Sequence, residues 1–109
     1  MIIRASFFIG LVFVASCAQA QFKTGNKLLQ QFGGEFGEQM NAIGYVTGVA
    51  DTLQGAVVCA PQTVNAGQLV DMTKLYLEKS PAQRHRPADM LIHDMLTAMW
   101  PCAKKGQSL

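Results

Sequence analysis

Two cysteines, Cys59 and Cys102, constrain the fold of this chain more than any other feature, because of what precedes them. The first residues have the form of an export signal: Arg4 gives a positive start, and Ala5 to Ala15 is a short apolar run. Ala18-Gln19-Ala20 follows as a small-residue cleavage site. The run falls short of the roughly 20 residues a membrane-spanning helix needs. The sequence therefore predicts a signal over residues 1–20 and one domain over residues 21–109. A second processing route stays open: Val14-Ala15-Ser16-Cys17 also fits a lipid-attachment motif, with Cys17 as the anchored N-terminus. On either route the body of the domain keeps only Cys59 and Cys102, and in an oxidising compartment two such cysteines are expected to pair. The closed loop would span about 44 residues and contribute about 4 kcal/mol on the chain-entropy account. A domain of about 90 residues has a marginal core, so an increment of that size matters.

The apolar residues recur at intervals of three and four, and no strand-like alternation persists. The expected fold class is all-α, a small bundle of about four helices stapled by one disulfide. A first helix is predicted from Thr24 to Phe32, with Leu28, Leu29 and Phe32 on one face, broken by Gly33-Gly34 and Gly37. A second should run from Glu38 to Val58, burying Met40, Ile43, Val46, Ala50, Leu53 and Val57. Gly44 and Gly48 lie four apart on it; close approach of another helix, within the chain or across a dimer, would compensate their low helix propensity, and simple tolerance is the alternative. Asn65 with Gln68 predicts a capping box opening a third helix, whose apolar face is Leu69, Met72, Tyr76 and Leu77, and Ser80-Pro81 ends it. Pro87 suits the first turn of a fourth. Ala88, Leu91, Ile92, Met95, Leu96 and Met99 then give the clearest amphipathic stripe in the chain, with methionines read as core filling. The tail from Ala103 to Leu109 is polar and is expected to fray.

The sequence offers little catalytic chemistry. Lys and Arg number nine against seven Asp and Glu, and the formal charge is +2. Loss of Arg4 with the signal would leave eight against seven, a net +1. These charges are dispersed without a basic, aromatic-rich stripe, which argues against nucleic acid as a partner. Asp89 and His93 fall on one helix face, beside Asp94, but no third ligand stands at metal-binding spacing, and a surface ion pair is the favoured reading. Arg84-His85-Arg86 is a small basic cluster in the loop before the fourth helix; it could cap the end of the third helix or meet an acidic surface. No nucleophile–base pair or phosphate-cradling loop is present, so neither enzyme activity nor a cofactor or metal is expected.

The ordered pieces of the domain carry a resemblance. They are Phe22-Lys23-Thr24-Gly25-Asn26-Lys27-Leu28-Leu29, Gly44-Tyr45-Val46-Thr47-Gly48-Val49-Ala50-Asp51, Cys59-Ala60-Pro61, Gly67-Gln68-Leu69, Tyr76-Leu77, Ser80-Pro81, Arg84-His85-Arg86-Pro87-Ala88 and Trp100-Pro101-Cys102. In order and spacing they resemble the Rap/Tai family of type VI secretion immunity proteins across nearly the whole domain. Trp100 stands where the family more often has Phe. The resemblance implies a small helical periplasmic protein, often a homodimer, that inhibits a peptidoglycan amidase toxin by covering its active-site cleft. The implied partner is a cysteine hydrolase with a Cys/His pair, and the implied inhibitor performs no turnover of its own.

Within that pattern Cys59, Cys102, Gly48, Pro87 and Trp100 are expected to hold the fold. Specificity for one toxin should sit on exposed loop residues, for which Gln62, Thr63, Gln83, Arg84 and His85 are the candidates, the basic loop meeting an acidic cleft rim. A small periplasmic acid-stress chaperone, also helical and built on one disulfide, is the alternative. Seven carboxylates and two histidines spread along the chain give it little to titrate.

Overall fold

The computed structural model describes residues 22–103, together with Gly10. The signal reading over residues 1–20, the cleavage and lipid-attachment motifs and most of the polar tail lie outside the described residues. Four helices follow one another: α1 (Gly25–Phe32), α2 (Phe36–Leu53), α3 (Ala66–Glu78) and α4 (Ala88–Met99). Every pair of helices is in contact, and the described residues form no strand beyond isolated bridges. The fold is the all-α bundle that the periodicity predicts.

The core follows from α4. Leu91 is fully buried and Ile92 and Leu96 nearly so, with Ala88 and Met95 beside them. Leu28 and Phe32 from α1, Ala42, Val46 and Ala50 from α2, Leu77 from α3 and Val58 complete the cluster. The predicted stripe of α4 is thus the spine of the core except at Met99, which lies on the last turn and is exposed.

Local chemistry sets the ends. Thr24 caps α1, its hydroxyl oxygen accepting the Lys27 N–H at 3.2 Å. The capping box at α3 is formed in both directions, Asn65 and Gln68 each accepting the other's backbone N–H at 2.9 Å. Leu77 is the buried centre of the α3 face, with Leu69, Met72 and Tyr76 packed partly buried around it. Thr73 is buried as well; its hydroxyl donates to the Leu69 carbonyl at 2.7 Å, which removes the cost of burying it.

The second helix differs from its expected course. It begins at Phe36, so Gly37 is helical, and it stops at Leu53 rather than Val58. Gln54 turns extended and Gly55 takes φ of +81°, a region that favours glycine. The Leu53 carbonyl then accepts the N–H groups of Ala56, Val57 and Val58, each at 3.1 Å. The apolar residues after Leu53 fit a helical period, but they fold into a tight turn that buries Val58 and leaves Val57 exposed. The buried face of α2 is Ala42, Val46 and Ala50, with Leu53 partly buried; Met40 is exposed.

Two clips hold α4 at its ends. At its start Thr24 bridges Pro87, and the Ala88 N–H donates to the Lys23 carbonyl at 2.8 Å. At its finish Val58 bridges Pro101, and the Cys59 N–H donates to the Trp100 carbonyl at 2.8 Å. The Cys59–Cys102 disulfide closes this second clip, with Cα atoms 4.9 Å apart across a sequence separation of 43. Replacing both cysteines by serine should lower the unfolding free energy by about 2–4 kcal/mol, read from urea denaturation of the two forms. An unchanged midpoint would show that the backbone clip alone suffices.

Candidate partner-binding surface

The five loop residues expected to meet a partner fall at two separate places. Gln62 and Thr63 are exposed between α2 and α3. This loop is fixed at its root by Gln54, whose side chain donates to the Ala60 carbonyl at 3.0 Å and accepts the Ala60 N–H at 3.2 Å. Gln62 lies over a depression of about 200 Å³ that reaches Leu69 and Leu96. Gln83 and His85 are exposed between α3 and α4, at the other end of the bundle. The 12 residues of α4 separate the two loops, about 18 Å at the helical rise.

Arg84 stands in a tighter setting than an open loop residue. Its carbonyl accepts the Asn26 N–H at 2.9 Å, and the Arg86 carbonyl accepts the Gly25 N–H at 3.0 Å. The basic loop therefore satisfies the first N–H groups of α1, rather than capping the end of the third helix. Gly25 makes this approach possible: a Cβ there would stand 2.6 Å from Leu91 Cδ1 and 3.1 Å from the Arg84 carbonyl oxygen. The Arg84 Nε is buried without a hydrogen-bond partner among the described residues.

The acidic and histidine side chains of α4 also sort themselves. Asp89 accepts the Met90 N–H at 2.9 Å and makes no ion pair with His93 among the described residues. His93 instead approaches Asp94, with Nδ1 3.4 Å from Oδ1, and the Arg86 Nη2 donates to Asp94 Oδ2 at 3.0 Å. The hydrogen bond from Arg86, then that from His93, holds the Asp94 carboxyl below its ordinary value. The Asp89/His93 pairing read from helix spacing is thus replaced by an Arg86–Asp94–His93 arrangement. No group of three or more His, Cys, Asp or Glu among the described residues is placed to hold a metal ion.

One further feature shows in the sequence only through the Gly44/Gly48 spacing. A groove of about 670 Å³ runs between α2 and α4, lined by Gly44, Tyr45, Gly48, Val49, Thr52 and Leu53 on one side and Asp89, Met90, His93 and Asp94 on the other. Both glycines are exposed, and a Cβ on either would meet nothing within 4 Å. No close helix approach within the described chain explains them, and Gly48 is not a fold-holding contact. Their spacing was the available signal, but spacing alone cannot say on which face of α2 they lie. Tyr45 forms one wall, with Lys23 Nζ 4.5 Å from its ring centre and bonded to Asn41 Oδ1 at 2.6 Å. Burial, and then the Asp89 charge, raise the Tyr45 pKa, with the Asp89 backbone opposing part of that shift. Partial burial and the neighbouring Lys27 lower that of Lys23.

A family model described as Rap1a immunity proteins matches residues 14–102. The chain belongs to that family. No curated protein matches the chain. Membership points to a type VI secretion immunity protein with a toxin for a partner, in a family that is generally periplasmic and non-enzymatic. No described helix is long and apolar enough to cross a membrane.

The Arg86–Asp94 pair gives a direct check on the electrostatics. Replacing Arg86 with Met should raise the Asp94 pKa toward 3.8, observed by NMR titration of the carboxyl carbon. Because the folded-state value is depressed, the pair contributes stability above the unfolded pKa and loses it as pH falls through the folded one, below about pH 4. Both side chains are partly solvated, at 29% and 44% exposure, so this contribution is small and screened by salt. An unmoved Asp94 titration would show that Arg86 is not its partner in solution.

Proposed function

We propose that this chain is exported, loses residues 1–20, and acts in the periplasm as residues 21–109 to inhibit a peptidoglycan amidase toxin delivered by a type VI secretion system. Inhibition is steric: the domain covers the cleft in which the toxin's Cys/His pair attacks the peptide stems of the cell wall. The observation that carries this reading is the family match over residues 14–102. The disulfide supports the exported location, because such bonds persist in oxidising compartments and not in the cytosol. Lipidation at Cys17 is the second route of processing, and mass spectrometry of the exported protein separates it from cleavage after Ala20. Exposed Phe36 and Met40, one turn apart on α2, support a homodimer, which sedimentation of the purified protein reads directly.

In this reading Gln62, Thr63, Gln83, Arg84 and His85 form the variable contacts. Gln83 and His85 can change without touching the core, whereas Arg84 also holds the start of α1 through its backbone.

Affinity capture with the disulfide-bonded protein should recover a cell-wall amidase whose hydrolysis falls in proportion to added immunity protein and stops at one domain per enzyme. His85→Glu should weaken that inhibition by about tenfold, through a repulsive charge at an acidic rim, and leave the melting temperature unchanged. Full hydrolysis in the presence of excess immunity protein would sink the proposal. Capture of many unrelated proteins that grows as pH falls would replace it with the chaperone reading.

A further inference from the structure

The groove between α2 and α4 has a volume of about 670 Å³, and none of the described residues fills it. Its floor is backbone: Gly44 and Gly48 stand one turn apart with open space above both Cα atoms. Tyr45, Val49, Leu53 and Met90 supply apolar walls, and Met90 is 49% exposed. An uncovered apolar trough of this size is a mark of an interaction site, and it is large enough for several side chains.

The polar groups at its edge are mostly satisfied already. The Thr52 hydroxyl donates to the Gly48 carbonyl at 2.8 Å, so a partner can cover it without stranding a donor. Asp94 is held by Arg86 and His93. Asp89 is the exception. Its carboxylate accepts one backbone N–H from its own helix and meets no cation among the described residues. Lys23, over the Tyr45 ring, donates to Asn41 rather than to Asp89. An apolar trough with a carboxylate at its edge that meets no cation among the described residues is complementary to an apolar group with a positive charge beside it.

We propose that the α2/α4 groove seats an element of the toxin carrying a bulky apolar side chain over Gly44 and Gly48 and a lysine or arginine against Asp89. This rests on the immunity reading and adds to it a second contact surface, distinct from the basic loop. The two surfaces have opposite polarity. The loop around His85 offers positive charge, and the groove takes it.

Gly48→Trp fills the floor without strain, since Gly48 has ordinary helical backbone and open space around it. With the amidase whose hydrolysis the wild-type protein inhibits, Gly48→Trp should weaken binding about 100-fold, as loss of a central anchor does. Asp89→Lys should weaken it about tenfold, with a reduced dependence on salt. Both variants are first confirmed by circular dichroism to melt as the wild type does. Affinity of folded Gly48→Trp within about twofold of wild type overturns the proposal, since that is under 0.5 kcal/mol. Loss of a dimer in that variant, with toxin affinity unchanged, also overturns it and assigns the groove to a second copy of the chain. If the wild-type protein inhibits no amidase, the immunity reading fails by itself. The groove is then probed with a helical leucine–lysine peptide and its leucine–glutamate counterpart. Saturable binding of the lysine peptide alone, lost in Gly48→Trp, supports the recognition chemistry; binding of neither, or of both alike, overturns it.

Discussion

The burial of α4 is the constraint on which the rest of this structure depends. Its inward face contacts the other three helices, and Leu91, Ile92 and Leu96 are buried in the core they share. A helix of 12 residues would be marginal in isolation, so its stability comes from that burial. The two clips fix its position along the bundle. One ties its start to residues 23–26 by backbone hydrogen bonds, and the other ties its finish to residues 57–59 by hydrogen bonds and the disulfide. Because both clips join distant parts of the sequence, they position the loops as well as the helices. The basic loop follows the start of α1, and the Gln62 loop follows the end of α2.

Much of this was legible in the sequence, for reasons that are local. The Asn65–Gln68 box needs only two side chains three residues apart, and it forms as read. The apolar stripe of α4 needs only helical spacing, and five of its six positions are buried. The end of α2 was not legible in the same way. Ala56, Val57 and Val58 continue an apolar run, and only Gly55 with its left-handed backbone marks the turn. What decides the matter is non-local. Val58 must turn inward to bridge Pro101 and place Cys59 opposite Cys102, which a continued helix would not allow.

The candidate site was less legible than the fold. Exposure of Gln62, Thr63, Gln83 and His85 follows from their polarity and their place between helices. The Arg84 backbone contact with α1 depends on Gly25, some sixty positions upstream, and no local pattern reports it. The pairing of Asp94 with Arg86 likewise depends on how the loop enters α4. The spacing of Asp89 and His93 made an ion pair between them equally reasonable. Asp89 is turned instead to the first turn of its own helix, where a carboxylate is favoured by the unpaired N–H groups and the helix dipole.

The glycines of α2 bring these strands together. Each costs a helix interior about 1 kcal/mol relative to alanine, and in this bundle no neighbouring backbone exploits the missing Cβ. Alanine at either position would meet no atom within 4 Å, so the folded chain by itself gains nothing from glycine there. Such a local disagreement between sequence and fold is expected at surfaces shaped for something other than stability. Gly25 shows the contrast. It is buried, its absent Cβ is used by Leu91 and Arg84, and its place is explained within the chain. Gly44 and Gly48 have no such explanation among the described residues, and the proposed toxin contact would supply one. The two clips fix α4 at both ends against the segments that flank α1 and α2, and so set where the two walls of the groove lie.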